Sequence, residues 1–153
     1  MKVKILQYES YLEAIRKSVN SELFQTVWAE VDGKKKDITN RGQYSCAIHV
    51  SRILLWFGLV QEIHAMTPGL VKDMKKSGWE KIQKPRLGCV LHWGKTYSNG
   101  SENEHVGFYM GDEKAISNNR DSGVPVEHYY SPEKLEAMYW HPKLDEWMGS
   151  SRE

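Results

Sequence analysis

Apolar and polar positions divide the chain into a helical first half and an extended second half. Val3 to Gln7 alternates enough to predict a short strand. From Ser10 to Val27 the residues Leu12, Ile15, Val19 and Leu23 recur at three- and four-residue spacing, which predicts a helix. Asp32-Gly33-Lys34-Lys35-Lys36-Asp37 reads as a charged, solvated turn. Nothing polar occurs from Ile53 to Val60, so a helix there is apolar on every side and must be buried. Thr67-Pro68 is a cap with proline at the first helical position, and it opens a helix carrying Leu70, Val71 and Met74 that stops at Ser77-Gly78.

After the turn Lys84-Pro85-Arg86-Leu87-Gly88 the pattern becomes extended. Cys89 to Trp93 is a short strand, and Gly94 to Asn103 a polar loop. Two apolar runs flank Gly111-Asp112, which predicts a β-hairpin. Gly123 to Tyr130 is a further strand that Pro125 confines to an edge or a strand start. Ser131-Pro132-Glu133 caps a last short helix with Leu135 and Met138 inward, ended by His141-Pro142. Helices followed by antiparallel strands make an α+β domain, and residues 1–153 fit one domain with a single core.

Composition narrows the classes. Hydrophobic content of 40% with 27% charged residues is that of a globular protein, and a net charge of +1 argues against a general nucleic-acid binder. The longest apolar run is far short of the roughly 20 residues that span a membrane. The first residues, Met1 to Glu9, lack the continuous apolar region of a secretory signal, so synthesis in the cytoplasm is expected. Two cysteines, Cys46 and Cys89, are too few for a disulfide scaffold and suit a reducing compartment.

Cys46 stands at the head of the buried helix, just after the turn-forming Asn40-Arg41-Gly42. There the positive end of the helix favours a thiolate, and the N–H groups of the first turn can hold a developing oxyanion. The opposing reading makes Cys46 one more small core residue. A cysteine nucleophile needs a base, and the base needs a group that fixes its tautomer. Among six histidines, His105 is the best placed, opening the hairpin strand directly after a polar loop. Its partner should come from the returning strand. If the hairpin loop has an even number of residues, Asn118 falls beside His105 on the same face. An odd loop or a bulge substitutes Ser117 or Asn119. The asparagine carbonyl can accept from the imidazole N–H, so Asn118 is the expected third residue. Gln43 or Tyr44, just upstream of the cysteine, could supply a second oxyanion donor.

These segments carry a resemblance. Gly88-Cys89-Val90-Leu91-His92-Trp93, followed by His105-Val106-Gly107-Phe108-Tyr109-Met110-Gly111-Asp112-Glu113-Lys114-Ala115-Ile116-Ser117, resembles the second half of an NlpC/P60 or CHAP domain. In those families a cysteine opens a long buried helix, and a histidine heads a strand of the form His-Val-small-apolar-Tyr-apolar-Gly. The likeness covers Gly42 to Ile116, about half of the chain. It implies a papain-like fold, a buried central helix packed on an antiparallel sheet. It also implies a Cys/His hydrolase cutting amide bonds, typically in peptidoglycan peptides, as a cell-wall endopeptidase, an amidase or an endolysin does.

Cys46 then takes the nucleophile position and His105 the base position, and the family's third polar residue falls at Ser117. Ser45 and Ala47 flank the cysteine where the family has Asp and Ser, and Asn40-Arg41-Gly42-Gln43-Tyr44 replaces its aromatic Gly-Gly motif. Such chemistry implies no cofactor and no metal. An exported substrate would require release by phage lysis or a dedicated secretion system.

Three rivals remain at this point. One is a cysteine protease or amidase acting inside the cell. Another is a non-catalytic module with a papain-like groove, lined by Tyr44, Trp93 and Tyr97, with Trp56 better explained as core. The third is a zinc site from Cys46-x-x-His49 and Cys89-x-x-His92. Geometry disfavours zinc, because Cys89 and His92 would leave opposite sides of a strand.

Overall fold

The computed structural model of the protein describes residues 1–94 and 104–151. The expected polar loop from Gly94 to Asn103, with Tyr97, lies almost wholly outside them. Helix α1 (Gln7–Lys17) buries Tyr8, Tyr11, Leu12 and Ile15, a stripe at three- and four-residue spacing. It ends ten residues short of the expected Val27. Asn20 takes a positive φ, Ser21 caps a short 3₁₀ turn at Glu22–Phe24, and the chain is extended by Trp28. The expected strand at Val3 to Gln7 does not form; Val3 and Ile5 are exposed, and no neighbouring strand pairs with them. The lysine-rich segment expected as a turn is a small hairpin instead, with β1 (Trp28–Val31) paired to β2 (Lys34–Asp37) around Asp32-Gly33.

Helix α2 (Cys46–Trp56) is the central helix, burying Ala47, Ile48, His49, Val50, Ser51, Ile53 and Leu54. It stops earlier than the apolar run does. Gly58 has φ of 68°, its N–H donates to Leu55, and the Leu59 N–H reaches back to Leu54. Those two bonds satisfy carbonyls the helix would otherwise leave bare. The helix is not apolar-buried all round either, because Trp56 is 55% exposed rather than core. Helix α3 (Thr67–Lys76) starts with Met66 at its N-cap, so Thr67 is its first residue and not its cap.

The remaining strands are β3 (Glu80–Ile82), β4 (Val90–Trp93), β5 (His105–Tyr109), β6 (Lys114–Asn118), β7 (Pro125–Tyr129) and β8 (Leu135–Trp140). They form a six-stranded antiparallel sheet in the order β3-β8-β4-β5-β6-β7. Pro125 opens the edge strand β7, as its missing N–H requires. The segment expected as a last helix is β8, an interior strand between β3 and β4, and Pro142 begins a helix, α4 (Pro142–Ser151), instead of ending one.

Side chains alternate across the sheet. From β5, Phe108 packs edge-on against Tyr11 of α1 and His49 of α2. The opposite face carries His105 and Gly107. The protein is thus an α+β domain with helices and antiparallel sheets. Among the described residues, no helix is long and apolar enough to cross a membrane.

Candidate active site

The head of α2 meets the sheet where β5 and β6 part. Their ladder pairs Phe108 with Ile116 and Tyr109 with Ala115, and it does not continue toward His105. In the same register Val106 would face Asn118. Instead, the backbone of Val106, with that of Cys46 and Ala47 and the side chain of Thr67, lies near enough to the Cys46 sulfur to favour its thiolate. The thiol itself donates to the Glu104 carbonyl at 3.9 Å. Burial pushes the thiol above its ordinary range, and these donors pull partly against it. The sulfur therefore touches the backbone on both sides of His105, and its hydrogen bond goes to Glu104 rather than to the imidazole.

The hairpin loop is odd, with three residues between the paired Met110 and Lys114. Met110 N–H donates to Lys114 O at 2.8 Å and Lys114 N–H to Gly111 O at 2.9 Å. Gly111, Asp112 and Glu113 all have positive φ, as a tight turn matched to strand twist requires. The even-loop premise behind Asn118 therefore fails. Asn118 leaves the His105 face and donates through Nδ2 to the Gly42 carbonyl at 2.6 Å. It pins the loop before Cys46 and does not orient His105. Asn119 serves its own turn, accepting from the Ser122 N–H at 2.8 Å.

The residue beside His105 is Ser117, whose Oγ lies 2.9 Å from His105 Nε2. Beyond it, His128 Nε2 lies 2.6 Å from the same Oγ, and His128 Nδ1 lies 2.7 Å from the Tyr129 carbonyl. Burial, with His128 as a second cause, pushes the His105 imidazole down to about 3, and burial also lowers His128. Both rings are therefore neutral near pH 7, each with one N–H. A carbonyl only accepts, so His128 Nδ1 carries its proton and Nε2 is bare. Ser117 then donates its single proton to His128, and its oxygen accepts from His105 Nε2–H. The chain of bonds leaves the lone pair of His105 on Nδ1.

Two neighbours make this arrangement fit. Trp93, fully buried, lies with its ring 5.2 Å from His105 and 5.7 Å from His128, and its Nε1 donates to Tyr130 O at 2.8 Å. Gly107 lets the strands close: a Cβ there would stand 2.6 Å from Ser117 Cβ and 2.8 Å from Ile116 O. His128 joins this cluster by a link that sequence reasoning missed, because it runs through Ser117 and across three strands.

No protein-family model matches the chain, and comparison with curated proteins finds no match.

The other candidates fall apart. Cys89 is buried among apolar groups, which pushes its thiol up to about 12, and both cysteines are free thiols. His49 Nε2 lies 2.9 Å from Ser18 Oγ in the core. The Cys46, His49, Cys89, His92 set is therefore not gathered at one point; among the described residues, the one group close enough to share an ion is His92, Glu104 and Glu136. Of the proposed groove aromatics, Tyr44 is exposed and Trp93 is not. The Tyr44 N–H is committed to the Thr39 carbonyl at 2.9 Å. Gln43 differs: its Oε1 accepts from Asn40 Nδ2 at 2.7 Å, which orients the amide and leaves its NH₂ as a donor. A shallow depression of about 340 Å³ lies beyond β6 and β7, between Glu113 and His128, and neither Cys46 nor His105 walls it.

Proposed function

We propose that the protein is a cysteine hydrolase of papain-like, NlpC/P60-type architecture that cleaves amide bonds in peptides. Peptidoglycan peptides are the substrate class its sequence resemblance suggests. The observation that carries this reading is the directional chain from Tyr129 O through His128 and Ser117. It holds the lone pair of His105 on Nδ1, one residue from the backbone that touches Cys46.

The chemistry follows from these positions. The S–H turns from the Glu104 carbonyl to His105 Nδ1, and sulfur attacks the substrate carbonyl as the proton transfers. A half-buried thiol with a raised pKa means the thiolate forms with attack and is not stored beforehand. The N–H groups at the head of α2 and the Gln43 amide take the oxyanion. Protonated His105 then delivers its proton to the leaving amine, and water releases the acyl group from sulfur. The imidazolium keeps its Nε2–H bond to Ser117 throughout.

Purified protein incubated with peptidoglycan fragments should give new products by mass spectrometry. Cys46→Ala should give none while keeping the wild-type circular dichroism spectrum. Cleavage by Cys46→Ala at the wild-type rate removes the assignment. The raised thiol and its bond to Glu104 favour a second reading, a papain-fold module that binds without cutting. Iodoacetamide separates the two: alkylation of Cys46 that slows in His105→Ala supports the enzyme, and alkylation equally slow with and without the imidazole supports the module.

A further inference from the structure

A cluster of side chains from β4, β8 and the residue before β5 takes no direct part in the chemistry proposed above. His92 is 7% exposed, and neither ring nitrogen has a hydrogen-bond partner. Its Nε2 nevertheless faces two carboxylates, 3.2 Å from Glu104 Oε2 and 3.6 Å from Glu136 Oε2. All three ligand atoms lie within 4.8 Å of one another. Tetrahedral zinc with bonds of about 2.0–2.2 Å sets its ligand atoms about 3.3–3.6 Å apart, and the His92 spacings of 3.2 and 3.6 Å lie close to that separation.

The backbone is shaped for this meeting. On β8, Ala137 pairs with His92 and Leu135 with Trp93, so Glu136 is an extra residue in a β-bulge. In a regular ladder Glu136 would project from the face opposite Ala137 and His92. The bulge turns its carboxylate back toward the imidazole, one of the uses such irregularities serve.

We propose that His92, Glu104 and Glu136 bind a divalent transition-metal ion, with Zn²⁺ the best fit. One imidazole and two carboxylates suit a borderline ion, a water would complete the tetrahedron, and Glu136, with its side chain 55% exposed, is open to solvent. The Glu104 carbonyl accepts from both Cys46 and Thr67. An ion on its carboxylate thus fixes the backbone that leads into His105. The ion is a positioning element, and its binding does not depend on the protein being a hydrolase.

The test is calorimetric titration of the chelator-treated full chain with Zn²⁺, with thermal melting alongside. One ion per chain should bind and raise Tm. Glu136→Gln, at a half-exposed position that the fold tolerates, should weaken binding at least tenfold, and Glu104→Gln likewise. Cys46→Ser should bind as the wild type does. No binding by the wild-type chain overturns the proposal. So does binding that survives Glu136→Gln and Glu104→Gln, or that is lost in Cys46→Ser, since the thiol would then be the ligand.

Discussion

One buried and one half-buried histidine–serine pair lie on opposite sides of β5, and they differ in where the serine proton goes. On the helix side, His49 Nε2 meets Ser18 Oγ at 2.9 Å, and Ser18 donates onward to the Ile15 carbonyl at 2.6 Å. On the other side, His105 Nε2 meets Ser117 Oγ at 2.9 Å, and Ser117 passes its proton toward His128 at 2.6 Å. Burial is the first cause that pushes each imidazole down to about 3. A shifted histidine is therefore no sign of chemistry by itself. The His49 pair ends at a carbonyl of its own core, with Phe24 and Phe108 edge-on to the ring. The His105 pair sits at a mouth where strands part and a cysteine enters.

The strongest way to break this contrast is to remove each imidazole. His105→Ala should lower kcat/KM by roughly 10³-fold or more with Tm unchanged. His49→Ala should cost about 2–4 kcal/mol of stability in urea unfolding, from the cavity and the stranded serine, with kcat of the folded fraction retained. Activity loss in the second variant without destabilisation would erase the distinction.

Next come the serines and the distal histidine. Ser117→Ala and His128→Ala should each lower kcat by roughly 10–100-fold with KM little changed, and the double variant should lose no more than the worse single one. Additive losses would show that the two act separately. Ser18→Ala should leave kcat alone and cost about 1 kcal/mol.

The smallest effect is a slope. The His49 pKa is depressed in the folded chain, so the unfolded chain binds more protons between its ordinary value near 6.5 and the folded value of about 3. The stability this contributes is full above that window and is lost as pH falls through it. His49→Gln should flatten the decline of Tm across those pH values. An unchanged slope would place the acid sensitivity elsewhere.

The sequence reading chose Cys46 and His105 because each carries a local signal: a thiol before a buried apolar run, and an imidazole opening an alternating strand. The third residue was lost to one unit of loop length. Glu113 adopts φ of 62° although it has a Cβ, so the loop is one residue longer than Gly111-Asp112 suggested, and every opposing side chain shifted face. Strand β8 was misread because Leu135 and Met138, three apart, fit a helical stripe; pairing on both sides decided for a strand, and propensity could not see that. The lysines of β2 hid a strand since both faces of that hairpin are wet, which removes alternation. His128 lies eleven residues from Ser117 along the chain, a relation only the folded sheet creates.

Gly107 has a consequence for anyone reshaping this scaffold. Its bare α-carbon lets Ser117 and Trp93 crowd against the base-bearing strand. Even a methyl group would act as a wedge between β5 and β6, lengthening the contact that steers His105 while leaving every ionisable group in place. A library randomised there should return inactive but folded clones, whereas one at exposed Gln43 should yield a graded range of rates.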